Sequence, residues 1–467
     1  MLKTFLSVCL LWLASSAQAQ DYSAYYQNLP TQVAKVTAPV IPANEVKLTD
    51  FGAVGDGQTL CTEAFRKAIS ALTKQGGGTV QIPAGVWLTG PIMLKDNIRL
   101  NLEHGAIIYF SPDKKLFIDE DGKSSRVLPC IRATNRKNIA ITGEGIIDGN
   151  GAEWRPVKRG KVSDTEWKIF KERLGGIERT EKALWYPWNH KAGYENIADT
   201  PEKQEGMRND LFRITNCENV LLQGVTFQNA PRFHVHPCYS SNIIIDDITV
   251  RCPWNAQNGD GIDLSDCHRA LIVNCTVDVG DDGICMKSGG QKKDQPWGCE
   301  DILITKNTVF HAHGGFVIGS EDMGGMHRLV VRDNQFSGTD TGLRFKSAIG
   351  RGGVTGDVFI SDIFMTDITA EAIIFECDYA NRPAGGEAQG PQKESPFVPH
   401  FQDIHIDRVV CRGAKVGIKA SGIDGLDCVK DIFISNSTIT YWKTDKDINS
   451  ATAKLTLQNV KLVKENK

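Results

Sequence analysis

The stretch "VGDDGIC", Val279 to Cys285, sets Asp281 beside Asp282 at the head of an apolar alternating run. Adjacent carboxylates repel when both are ionised, so such a pair needs a charge, a metal or a task beside it. Three other segments share the layout. "NGDGID" puts Asp260 directly before Gly261, "AHGGFVIGSE" puts His313 shortly before Gly315, and "GLRFKSA" puts Arg344 and Lys346 shortly after Gly342. Aligned on these glycines as stacked strands about 4.8 Å apart, three carboxylates, an imidazole and two cations meet along one face within roughly 15 Å.

A divalent ion is one use for carboxylates and a histidine, but Arg344 and Lys346 would oppose it. Glycosidic hydrolysis suits the set better. It needs one protonated carboxyl to deliver a proton to the leaving oxygen and a carboxylate base to activate water. Crowded carboxylates split their proton affinities, so one holds a proton while its neighbours stay ionised. The cations then have a task if the sugar is itself an acid: pairing with its carboxylate.

The elements that must position this set are short and repeated. β-branched runs begin at Asn138, Asn219, Asn242, Ala270, Asp301, Arg328, Asp357, Asp403 and Asp431, most of them roughly 23 to 31 residues apart, a spacing that marks solenoids or propellers. Each repeat adds a second strand signal, such as "GIDLSDC" or "GFVIGSE", between turns rich in Asn, Asp and Gly. A propeller blade needs four strands and about 40 residues, so the expected fold is all-β: a right-handed parallel β-helix with an N-terminal cap helix and long loop insertions. The cap is expected in "CTEAFRKAISALTKQGGG", where Ala64, Phe65, Ala68, Ile69 and Leu72 share one helical face and Gly76 to Gly78 form the stop.

Residues 1–19 read as a secretory signal peptide. Lys3 is followed by an apolar run from Phe5 to Ala14 and an Ala17-Gln18-Ala19 cleavage site. Residues 20–45 are an N-terminal extension and 46–467 one solenoid domain, with insertions near 152–208 and 381–399. A chain of 467 residues, 41% hydrophobic with a net charge of -3, can bury a large core and lacks the basic excess of a nucleic-acid binder. No apolar run spans a membrane. Of the 13 cysteines, Cys9 leaves with the signal, and the rest, in apolar runs without metal-type spacing, are expected to be mostly free core thiols.

The four ordered segments resemble the N-T-D, D-D, G-H-G and R-I-K motifs of glycoside hydrolase family 28, the polygalacturonases. "DFGAVGDGQTLCTEAFRKAI", Asp50 to Ile69, is similar to the opening of their β-helix. The resemblance implies Asp281, first of the pair, as proton donor, Asp260 and Asp282 as the carboxylates that prepare water for inversion, and His313 as a tuner of the acid. Arg344 and Lys346 would hold a galacturonate carboxylate, and Asn258 belongs to the first motif. The departures are Gly259, Ala312 and Phe345, none of which removes a reactive group.

Lys287, His236 and Tyr379 are further candidates for sugar binding, and His234 shares a side of its strand with His236. Trp154, Trp167, Trp185 and Trp188 would either stack on sugars or pack the insertion. The expected protein is an exported (periplasmic or extracellular), monomeric hydrolase without a cofactor, acting on α-linked galacturonic acid in pectic oligo- or polysaccharides, either galacturonan or oligosaccharides of rhamnogalacturonan. If the insertions wall off one end of the cleft, its action is exo. The alternatives are an endo-polygalacturonase and a non-catalytic β-helix that binds polysaccharide or serves as an adhesin.

Overall fold

In the computed structural model, residues 21–118, 127–173, 176–179, 183–187, 206–289, 291–292, 295–296, 298–379 and 395–465 are described. The signal peptide, Trp188 and most of the 381–399 loop lie outside them. Among the described residues, 31 strands join into one continuous ladder of overwhelmingly parallel coils, a right-handed parallel β-helix.

Helix α1, Thr62–Lys74, closes its N-terminal end. It buries Ala64, Phe65, Ala68, Ile69 and Leu72, the five residues whose spacing predicted the face. Residues 21–38 lie across the outside of a sheet, where Tyr22, Tyr26, Val33 and Val36 cover Ile244, Leu271, Leu303 and Val330.

Two kinds of corner residue keep the coils in register. Asn97, Asn138, Asn219 and Asn242 turn the chain with φ between 54° and 59°, a region where the short amide side chain is tolerated. Each amide also donates to the next along the stack: Asn138 to Asn97 at 2.7 Å, Asn219 to Asn138 at 2.9 Å and Asn242 to Asn219 at 2.7 Å. In later coils Arg269, Asp301, Arg328, Asp357, Asp403 and Asp431 occupy the same left-handed corner.

The second corner carries the glycines. A Cβ on Gly261 would lie 2.5 Å from the Gly283 carbonyl oxygen, on Gly283 2.7 Å from Val309, on Gly315 2.3 Å from the Phe336 ring, and on Gly342 2.4 Å from the Met365 sulfur. Only glycine lets these backbones sit against the core, so the four align as anticipated.

The site is carried by β1 (Phe212–Thr215), β2 (Val235–Cys238), β3 (Ile262–Ser265), β4 (Ile284–Ser288), β5 (Gly314–Asp322) and β6 (Thr341–Lys346), which stack in that order. Phe212, Val235, Ile262, Ile284, Phe316 and Leu343 form one inward column, all essentially fully buried. Each such side chain contributes about 1.5–3 kcal/mol on burial. The alternate positions therefore face the cleft. The twelve cysteines from Cys61 to Cys428 are free, and all but Cys252 are buried.

The 152–208 insertion holds helix α2, Asp164–Glu172, and a small antiparallel sheet. Trp154, Trp167 and Trp185 are all buried. Trp167 and Trp185 pack within the insertion and Trp154 sits edge-on to Phe117, so packing is the role of these three.

Candidate active site

The cleft has a volume of about 590 Å³, and Asp260, Asp281, Asp282, His313, Lys287 and Lys346 are among its lining residues. Asp260 and Asp282 occupy the same position in adjacent coils, linked by the Gly261 amide donating to the Asp282 carbonyl at 2.9 Å. Likewise the His313 amide donates to the Asp281 carbonyl at 2.8 Å, and the His313 ring Nδ1 lies 3.0 Å from Asp281 Oδ1. Asp281 and Asp282 differ in surroundings although they are chain neighbours. Asp282 is fully buried, with Lys346 Nζ at 2.6 Å, Arg344 at 3.8 Å and Lys287 at 3.9 Å. Asp281 is more open and faces His313.

These partners set the charges. Burial opposes ionisation of Asp282, yet Lys346 and Lys287 hold its carboxyl below the ordinary range. Burial opposes that of Asp281 too, and His313, with Lys161 and Lys346, pulls it well down. Asp260 goes the other way: burial and the neighbouring charges of Asp263 and Asp281 push its carboxyl well up. Asp260 therefore holds a proton more readily than either member of the pair. Asp281, Asp282 and His313 bring possible ligand atoms within 4.8 Å of one another. The lysines and Arg344 already supply the positive charge there, so the donor set suits an acid–base site better than an ion.

Arg344 and Lys346 leave the strand at alternate positions and approach the Tyr379 ring at 5.4 and 5.2 Å, so these three form one end of the site. Lys287 is turned inward. Its ammonium lies 3.5 Å from Asp260, 3.4 Å from Asp263 and 3.9 Å from Asp282, and it donates to the Cys285 sulfur at 3.1 Å. Asn258 accepts from the buried Arg208 at 2.8 Å.

His236 and His234 part company. His234 is completely buried, bonded through Nδ1 to the Asp260 carbonyl at 2.8 Å, and burial lowers its pKa to about 4, so it is a neutral brace. His236 lines the cleft between Asp210 Oδ2 at 2.6 Å and Ser265 Oγ at 2.9 Å. The arrangement has the outline of an acyl-transfer triad. Burial opposes a charge on this ring, but the Cys238 sulfur and the Asp210 carboxylate lift its pKa to about 10. An imidazolium cannot accept the serine proton, so the trio serves as a fixed cation with a hydroxyl in front of it.

Sequence reasoning passed over Asp263, Ser265, Asp210, Lys158 and Lys161. Asp263 follows Gly261 by the offset that separates Arg344 from Gly342, so the same alignment contained it. Lys158 and Lys161 come from the insertion, where no repeat gives a register. Both reach the cleft, and Lys161 Nζ donates to the Gly280 carbonyl at 2.8 Å, directly before Asp281.

Among known proteins, an exo-poly-alpha-D-galacturonosidase of Dickeya chrysanthemi is 28% identical over 404 residues, 84% of this chain and 65% of its own length. An endo-polygalacturonase of Pectobacterium carotovorum is 27% identical over 355 residues, 73% of this chain and 75% of its own. The crystal structure of an exopolygalacturonase from Thermotoga maritima superposes with a TM-score of 0.73 at 30% identity, covering 92% of this chain and 94% of that one. The model of the glycosyl hydrolases family 28 matches residues 188–457, which contain all four motifs and the acidic cluster, and the chain belongs to that family of pectin-degrading hydrolases.

Proposed function

We propose that this hydrolase releases galacturonate from the ends of galacturonan chains by inverting acid–base hydrolysis. The observation that carries the reading is the Asp281–His313 pair, 3.0 Å apart, with cations on both sides of it. Arg344 and Lys346 lie on one side. Arg213 and His236 line the cleft from the coils before Asp260, and Lys158, Lys161 and Arg232 line it as well. Two cationic ends suit adjacent uronates and suit less well a chain in which uronate alternates with a neutral sugar.

Asp281 is the proton donor in this reading. Without substrate charges beside it, Asp281 is kept ionised by His313 against the effect of burial. A bound substrate sets its own carboxylates against Lys161 and Lys346, which relieves the field on Asp281 and lets it take up the proton that it passes to the glycosidic oxygen. Water attacks the anomeric carbon from the opposite face, near Asp260 and Asp282.

The exo preference rests on the insertion. Lys161 of the insertion is tied to the Gly280 carbonyl and Lys158 also lines the cleft, so the insertion supplies part of its wall, where it would limit how far a longer chain can continue. Two of the relatives described above, one of them solved, are named as exo-acting enzymes and one as endo-acting. The signal-like N-terminus supports export, and no described helix is long and apolar enough to cross a membrane. The test is the time course of products from polygalacturonate and from rhamnogalacturonan oligosaccharides. Monomer from the first points on polygalacturonate supports the proposal, and an early ladder of oligomers removes its exo part.

A further inference from the structure

Asp263 has no part in the chemistry described so far, yet its position is costly. It is completely buried, and among the described residues neither oxygen has a hydrogen-bond partner. Its nearest cation, Lys287 Nζ at 3.4 Å, is long for a hydrogen bond. Burying a carboxylate this poorly served costs several kcal/mol, and an apolar residue there would be more stable. A chain that keeps the charge uses it.

The neighbours indicate the use. Asp282 has three cations within 3.9 Å, namely Lys346, Arg344 and Lys287. Among the described residues Asp260 has Lys287 as its one cation within 4 Å, at 3.5 Å, and must share it with Asp263, which is as close. The charged groups around Asp263 are Lys287, His236, Asp260 and Asp282. Those around Asp260 are Asp263, Asp281, Asp282 and Lys287. On the far side of Lys287 stand the Cys285 sulfur and the Gly319 carbonyl, which add no full charge.

We propose that Asp263 and Lys287 are a positioning pair that makes the two water-facing carboxylates unequal: Asp282 is the base that takes the proton of water, and Asp260 only orients that water. Asp263 draws on the one ammonium that would otherwise ionise Asp260, and Asp260 stays neutral beside an anionic Asp282. The upward shift of Asp260, caused by burial and then by the Asp263 charge, agrees with this division, and Lys287 works against the burial that opposes a charge on Asp263 itself. In the step itself the water oxygen bonds to the anomeric carbon as the glycosidic bond breaks. The water proton passes to Asp282, and the leaving oxygen takes the proton of Asp281. The inference rests on the hydrolase reading given above.

The experiment is the pH profile of kcat/KM on polygalacturonate for the full chain and four variants, each checked for folding by thermal melting. Asn can stand in for a neutral carboxyl, so Asp260→Asn is expected to keep at least about 10²-fold more activity than Asp282→Asn, the scale of a lost general base. Asp263→Asn removes a negative neighbour and is expected to move the acid limb down by about one pH unit. Lys287→Met is expected to move it up. A destabilised core would lower activity without moving the limb. Equal inactivity of Asp260→Asn and Asp282→Asn, or limbs that stay in place in Asp263→Asn and Lys287→Met, would overturn the proposal. A folded wild-type protein inert on every galacturonan would instead overturn the hydrolase reading beneath it.

Discussion

Replacing Lys346 with Met separates a substrate contact from a structural counter-ion. Its ammonium lies 2.6 Å from Asp282, and both groups are buried. At an effective dielectric constant of about 20, charges at that separation attract by roughly 6 kcal/mol, before the cost of taking both from water. Deleting one partner of a buried pair costs about 3–5 kcal/mol. Arg344 at 3.8 Å and Lys287 at 3.9 Å remain beside Asp282, which points to the lower end. For a chain of this length that is a fall in Tm of about 3 °C.

The kinetic effect is separate. A lost charge-assisted hydrogen bond to a uronate costs about 1.5–3 kcal/mol, or about 10- to 150-fold in kcat/KM. With Lys346 gone, Asp282 also accepts a proton more easily, so the acid limb of activity moves to higher pH. The assay is kcat and KM on trigalacturonate across pH 3–8 alongside melting curves. A Tm that falls while KM and the acid limb stay put would refute the reasoning and leave Lys346 as a counter-ion only.

Three further outcomes follow from the same geometry. Asp281→Asn is expected to lose about 10²- to 10⁴-fold in kcat while binding of a galacturonate oligomer, read by calorimetry, stays within a few-fold. Lys158→Ala with Lys161→Ala is expected to raise KM and to bring oligomers into the early products on a sizing column. His236→Gln tests the imidazolium through stability. Its folded pKa, about 10, is above the unfolded value of about 6.5. The ring's contribution is thus complete below pH 6.5 and is lost as pH rises through 10. Asp210 is depressed, so its contribution is lost as pH falls below the usual carboxylate range. The Tm deficit of His236→Gln is therefore expected to be largest between about pH 4 and 6.5 and to shrink toward pH 10.

Much of this architecture was legible because the repeats write it down. The runs that begin with Asn or Asp do so because that residue turns a left-handed corner, as Asn219 and Asp301 show. The second strands begin with Gly because a Cβ at Gly261 or Gly315 would strike the core. Alignment on those glycines then brings Asp260, Asp282 and His313 into neighbouring coils. Asp263 was missed although the same offset contains it, because in "GIDLSDC" it reads as the polar half of an alternating strand. Lys161 had no such signal. A residue in an insertion takes its place from tertiary docking, here through the Gly280 carbonyl. His236 illustrates a third case, since its charge depends on Asp210 in the preceding coil.

The most direct measurement is proton NMR of the first product released from trigalacturonate by the purified protein. The account predicts free galacturonate monomer that appears as the β-anomer and then mutarotates, as inversion of an α-linkage requires. An initial α-anomer would contradict the assignment of Asp260 and Asp282 to water, and an unsaturated product would contradict hydrolysis itself.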